Sequence, residues 1–474
     1  MKKYIFIFAL ILLASSSCTK DFEDTNTNKN KPETIVPNLL LPYLTYTVVD
    51  AGVGGSVVTQ HLAARDWVVS LGRYDWYSTP YWDYSILRNA NNLILEAENV
   101  GNDNFKGIGL IFKCYLFART TDCVGDIPFS DALKGKEGVY MATYDKQEDV
   151  YVGLLAFLEQ ANDLLDVDGV PISGDILYNG DILKWKKFAN SLHLRLLMRV
   201  SDKMPDAKTK IKTIVDNPAK YPIFESNDDM AALTYLQDSP NRFLSYNAPG
   251  FDAGEVVLGK ALADTLLMYK DPRIDAMAQP TLSSVNNGTP EFVGVPCAMS
   301  KEDAVAYNGG RENQSLINKR YSHDPVGEKG IYMSYAELQF ILAEAAQKNW
   351  ISGSAKTYYE NGIRGSFEYY GLSGKVDNYL IGENVVFKPS KGLLQIAVQK
   401  WISFYFNTGY EVFFDIRRTG MPYLFPGTGN LNGGKIPVRW KYPDTEQNYN
   451  GNNYKQAISL QGEDNTNTPI WLTK

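Results

Sequence analysis

Residues 333–371 read MSYAELQFILAEAAQKNWISGSAKTYYENGIRGSFEYYG. Leu338, Ile341, Leu342 and Ala345 fall on one face of a helix, because side chains three and four residues apart stack along the same side. The Gly- and Ser-containing break NWISGS at 349–354 interrupts the pattern, and a second helical pattern follows it. Ala343, Ala345 and Ala355 are small enough to let two helix axes come close. The stretch therefore predicts two helices folded back on each other.

The same logic extends outward. GLIFKCYLFART (109–120) and QEDVYVGLLAFLEQANDLL (147–165) form an earlier pair with a long excursion between them. Leu154, Phe157, Leu158, Ala161 and Leu165 share a face, as do Trp185, Phe188, Ala189, Leu192 and Leu196, and Leu394, Ala397, Val398, Trp401 and Tyr405. Each pair has the size of a tetratricopeptide-type hairpin, but the repeats are too degenerate for a regular array. Strand signals are few and short: FVGVP (292–296) and NVVFKPS (384–390). The expected fold is mainly α, with tetratricopeptide-like helical hairpins, long irregular loop excursions and few short strands. No Pro/Ser-rich linker or abrupt shift in composition divides 35–474, which predicts a single domain with ample material for a core. Binding residues are expected on the excursions, since loops on a rigid scaffold carry function.

The N-terminus is a targeting segment. Lys2 and Lys3 precede an apolar run from Tyr4 to Ala14, which is short of the about 20 apolar residues needed to span a bilayer. ASSSC at 14–18 puts small residues before Cys18, the arrangement a lipoprotein peptidase needs to leave an acylated cysteine first, although Ser15 stands where leucine is commonest. Residues 1–17 are thus expected to be a signal peptide and Cys18 the lipidation site, its acyl chains holding the protein to a membrane at about 0.8 kcal/mol per buried methylene. Residues 18–34 are polar and poor in apolar side chains, the composition of a flexible tether. Asp21, Glu23 and Asp24 resemble an acidic signal that sends lipoproteins to the cell exterior.

Composition excludes several functions. A net charge of −7 argues against binding a phosphate backbone. The three histidines, His61, His193 and His323, show no metal-ligand spacing, and no metal or cofactor is expected. Cys114, Cys123 and Cys297 are an odd number, and Cys114 and Cys123 on one helix would stand about 13 Å apart, too far for a disulfide. No GxSxG elbow or phosphate-cradling glycine loop occurs. The 31 tyrosines and 8 tryptophans supply core bulk and suit a surface that holds sugars or peptides.

Five motifs, in order, carry a family resemblance. They are FARTTDCVGDIPFSDAL (117–133), WKKFANSLHLRLLMRV (185–200), YAELQFILAEAA (335–346), QKWISFYFNTGYEVFFDIRRTGMP (399–422) and KIPVRWKYPDTEQNYNGNNY (435–454). Together with Cys18 the chain resembles the SusD/RagB family of outer-membrane nutrient-binding lipoproteins, in its SusD-like branch. The resemblance implies a helical, tetratricopeptide-like fold and a lipid-anchored outer-membrane protein facing the cell exterior. It also implies a partner, a SusC-like TonB-dependent β-barrel transporter, over which the lipoprotein captures nutrient like a lid. Read physically, the motifs are mostly packing: GDIPF is a turn in which Asp126 caps, and Arg417 and Arg418 pair with buried carboxylates or cap helix carbonyls.

The densest aromatic excursion contains GRYDWYSTPY (72–81), which reads as an exposed loop because Gly, Asp, Ser and Pro surround its rings. Arg73, Tyr74, Asp75, Trp76, Tyr77 and Tyr81 are the expected ligand-binding residues, rings stacking on sugar faces and Arg73 and Asp75 bonding hydroxyls. QDSPNRFLSYNAPGFD (237–252) offers Arg242, Tyr246, Asn247 and Phe251 as a second wall. The expected function is delivery of a glycan or oligopeptide without catalysis. The competing reading is a surface hydrolase with two carboxylates about 5–10 Å apart, for which pairs such as Asp75 and Asp83 form no motif.

Overall fold

The computed structural model describes residues 36–474 apart from 67, 68 and 253, so Cys18, the signal segment 1–17 and the tether 18–34 lie outside the described residues. Helices dominate and strands are short, as the periodicity predicts. The helices include α1 (Pro37–Val48), α2 (Tyr84–Val100), α3 (Asp103–Val124), α4 (Gln147–Leu164), α5 (Ile182–Arg199), α6 (Ala207–Asp216), α7 (Tyr335–Gln347), α8 (Ala355–Tyr369), α9 (Gly392–Ser403) and α10 (Glu411–Thr419). From α2 to α6 each helix packs on the next, while α7 packs on α8, α5 and α9.

The hairpins form where local chemistry stops one helix and starts another. Gly101 ends α2 at φ +66°, and Asn102 then caps α3 by accepting the Phe105 amide at 3.2 Å. In the 333–371 hairpin, Ser334 accepts the Glu337 amide at 3.1 Å and Ser354 the Thr357 amide at 3.3 Å. Ala343 and Ala345 are buried, yet the close approach is set by Gly362, where a Cβ would lie 2.7 Å from the Phe340 ring. Asp126 caps α4, accepting the Gln147 amide at 2.9 Å.

Two antiparallel pairs make up the β-structure: β1 (Leu62–Ala64) with β3 (Val256–Leu258), and β2 (Ala231–Leu233) with β4 (Gly330–Met333). The strands expected at 292–296 and 384–390 do not form; in the first only Val295 makes a bridge, to Gly259. In the second, the Gln395 side chain on α9 accepts the Lys388 amide at 2.7 Å and donates to the Val386 carbonyl at 2.9 Å. A side chain thus satisfies backbone groups that a neighbouring strand would otherwise have to meet.

Helices remote in sequence are joined through buried charge. Arg195 on α5 donates from Nε and Nη2 to Glu337 on α7, both at 2.6 Å, and from Nη2 to the Tyr332 carbonyl at 2.8 Å. Arg199 bonds Asp122 on α3 and Glu411 on α10. Arg418 grips Glu344 at 2.7 and 2.6 Å, and Arg418 and Lys400 both reach Asp415 at 3.0 Å. Burial pushes the Glu344 carboxyl up, but the Arg418 charge and hydrogen bonds outweigh it and hold the group at about 2. Arg417 instead donates to the carbonyls of Asp122 and Val438 at 2.7 and 2.9 Å. Both expected roles for this arginine pair are therefore present, one in each residue.

Two histidines are buried neutral. His61 stacks on Trp401 at 4.6 Å with Nε2 2.8 Å from the Trp401 carbonyl. Burial pushes His61 down to about 3, opposed by that carbonyl, and pushes His193 down to about 4. The unfolded chain takes up protons near pH 6.5, so stability present above that value is lost as pH falls toward the folded values. Between pH 7 and pH 5 each histidine is expected to cost about 2 kcal/mol of stability, while Asp122, Asp126, Glu328 and Glu337, whose carboxyls burial pushes up, act in the opposite sense. Urea unfolding of the parent and of His61→Gln at both pH values checks this: the variant should lose about 2 kcal/mol less than the parent, and an equal loss would contradict the neutral assignment.

Candidate ligand-binding site

The 72–81 excursion is anchored through its aromatics. Tyr74 is buried at φ +63° and its hydroxyl accepts from Gln60 Nε2 at 2.8 Å. Trp76 is 4% exposed, its indole stacked on Trp440 at 4.1 Å and 10°, with Nε1 donating to the Leu71 carbonyl at 3.0 Å. Tyr81 is buried, donating to Asp50 at 2.7 Å beneath the Arg119 guanidinium, 4.5 Å from the ring centroid. The expectation of an exposed loop is therefore corrected for Tyr74, Trp76 and Tyr81, whose rings are core. Tyr77 does face outward, 62% exposed, and its hydroxyl donates to Asp75 at 2.8 Å. Arg73 and Asp75 are half-buried.

The structure joins this excursion to 423–431. Arg73 Nε donates to the Gly429 carbonyl at 2.6 Å, and the Leu431 amide donates to the Arg73 carbonyl at 2.8 Å. Gln60, which holds Tyr74, also brackets Phe425, donating to its carbonyl at 2.5 Å and accepting its amide at 3.2 Å. Tyr423 and Phe425 stand 68% and 62% exposed, edge to face at 5.1 Å, with buried Leu424 between them. The Lys441 amide donates to the Tyr77 carbonyl at 3.1 Å. Hydrogen-bonded loops thus present three open rings, with Arg73 and Asp75 on the same loop as Tyr77.

The second expected wall is divided. Phe251 is buried against Phe406 at 5.6 Å, so its assignment to a ligand surface is corrected as well. Arg242 lies 5.2 Å from the Tyr246 ring and donates to the Gln237 carbonyl at 2.8 Å, and Asn247 is exposed at φ +55°. Tyr423 and Phe425 escape the sequence reading, although the alternation Tyr423–Leu424–Phe425 within a Gly- and Pro-rich stretch is the available signal. Among the described residues no group of three or more His, Cys, Asp or Glu could hold a metal ion.

Helical hairpins thus carry loops on which the Tyr77, Tyr423 and Phe425 rings stand open. Residues 29–443 match the SusD-like_2 family model, described as starch-binding and associating with the outer membrane, and the chain belongs to this family. A SusD homologue from Bacteroides fragilis is 31% identical, with a TM-score of 0.84 over 93% of this chain and 100% of that one. A second from the same species is 25% identical, with a TM-score of 0.85 over 93% and 100%. A chitin-binding protein is 28% identical, with a TM-score of 0.79 over 92% of this chain and 99% of that one. None of the curated proteins compared with the chain matches it. The resemblance carried by the five motifs is borne out. Among the described residues no helix is long and apolar enough to cross a membrane.

Proposed function

We propose that the chain is a surface lipoprotein, anchored through Cys18, that captures a glycan and delivers it to a TonB-dependent β-barrel transporter. A glycan is favoured over an oligopeptide by the starch-binding description of the family and by the likeness to a chitin-binding protein. The observation that carries the reading is the exposed pair Tyr423 and Phe425, tied through Gln60 and Gly429 to the loop bearing Arg73, Asp75 and Tyr77. Arg242, Tyr246 and Asn247 form a secondary polar wall in this reading. The anchor and the transporter stand or fall on whether the protein fractionates with the outer membrane and co-purifies a barrel.

Calorimetric titration with maltohexaose and chitohexaose tests the site. Tyr423→Ala and Phe425→Ala are each expected to weaken binding by about tenfold, or ~1.4 kcal/mol, with unchanged thermal stability because both rings are exposed. Unaltered affinity in the double variant would overturn the site while leaving the family assignment intact. The same mixtures, assayed for new reducing ends, should show none; cleavage would favour the hydrolase reading.

A further inference from the structure

A cleft of ≈ 630 Å³ opens between α4 and α6, with α5 as its floor. Val152, Leu155 and Ala156 line it from α4, Met204 and Ile214 from the other side, and His193 from α5. Its volume lies within the about 300–1,000 Å³ of small-molecule sites. His193 is 4% exposed, and neither ring nitrogen has a hydrogen-bond partner. A neutral imidazole offers one N–H donor and one acceptor, and leaving both unmet in a buried position is costly. Burial keeps the ring neutral, with Glu159 opposing and Lys210 reinforcing the shift.

The charges around the mouth are mostly engaged within the protein. Lys210 pairs with Asp206 at 2.8 Å, Glu159 accepts from Lys220 at 3.2 Å and from Tyr221 at 2.7 Å, and Lys203 donates to the Lys474 carbonyl at 3.0 Å. Glu148 lies in the first turn of α4, where the helix dipole complements its charge. The cleft therefore asks for a neutral ligand with an apolar face for the aliphatic walls and a group that both donates and accepts for His193. A sugar ring has these features, its C–H face apolar and its hydroxyls able to do both. We propose that the α4–α6 cleft is a second binding site, for a short neutral saccharide, with His193 as its polar contact. It goes beyond the aromatic-loop reading and does not depend on it.

The test uses the full chain labelled with ¹⁵N-histidine, whose three histidines give separable signals assigned with single His→Gln variants. Maltotriose and N,N′,N″-triacetylchitotriose are titrated separately to millimolar concentrations. The His193 signal is expected to shift saturably with at least one of them. The shift should persist in the Tyr423→Ala/Phe425→Ala variant, which separates this site from the aromatic loops. It should need at least tenfold more sugar in Val152→Arg, a change at an exposed position on the cleft wall. No shift with either sugar, a shift untouched by Val152→Arg, or one lost in the Tyr423/Phe425 variant would each overturn the proposal.

Discussion

Arg195→Met is expected to destabilise the protein by about 3–5 kcal/mol, whereas Arg195→Met combined with Glu337→Leu should recover most of that loss. Arg195 and Glu337 are both buried and share two hydrogen bonds of 2.6 Å. Removing the arginine strands a carboxylate whose pKa burial already pushes upward against the arginine's pull. Removing both charges leaves only a packing problem, since two apolar side chains of similar bulk fill the space. The Tyr332 carbonyl loses one donor in either variant, which keeps the recovery incomplete. Glu411, 3.9 Å from Arg195 Nε, remains held by Arg199. Urea unfolding of the two variants decides the matter: a single variant costing under about 1 kcal/mol, or a double variant no better than the single, would contradict it.

The ion network also bears on binding. Arg199 ties α10 to α5 and α3, and Arg418 ties α10 to α7. α10 ends at Gly420, which adopts φ +69°, and Tyr423 follows three residues later. The position of the exposed Tyr423–Phe425 pair is therefore inherited from buried charges several helices away. A family motif such as DIRRTG at 415–420 thus acts as packing that aims a loop.

Much of the scaffold is legible from local patterns, because a helix announces itself every three to four residues and its caps lie within reach of its own ends. The 333–371 hairpin needs only its own residues: the serine caps and the small residues that let Phe340 meet Gly362. The site is less legible, because its logic is not local. Gly, Asp, Ser and Pro around Trp76 describe an exposed loop correctly for Tyr77, but the ring that covers Trp76 belongs to Trp440, far along the chain. Gln60 joins Tyr74 to Phe425 across a similar separation. No spacing rule connects such partners. The strand expected at 384–390 fails because side chains on three helices meet its backbone: Gln395 on α9 at Lys388 and Val386, Tyr359 on α8 at the Val385 carbonyl at 2.8 Å, and Gln347 on α7 at the Pro389 carbonyl at 3.0 Å.

Trp76 and Tyr77, adjacent in sequence, are expected to respond oppositely to replacement by alanine. Trp76→Ala empties the space between Trp440 and Phe413, whose rings lie 4.1 and 5.2 Å from the indole centroid, and should cost about 3–5 kcal/mol of stability. Trp76→Phe should recover part of that, keeping an aromatic face while losing the bond to the Leu71 carbonyl. Tyr77→Ala removes a ring that is 62% exposed, so stability should stay within about 0.5 kcal/mol while glycan affinity falls. Trp76 itself cannot stack on a ligand, since Trp440 already occupies its face. Its loss reaches binding only by loosening 73–79 from 440–441, where the Thr79 and Lys441 amides bond across the join at 2.9 and 3.1 Å. Thermal unfolding and calorimetry on the same samples separate the two roles. A Trp76→Ala protein that melts like the parent yet no longer binds would return Trp76 to the ligand surface. A Tyr77→Ala protein that binds as tightly as the parent would remove Tyr77 from the proposed site and leave the stacking on these joined loops to Tyr423 and Phe425.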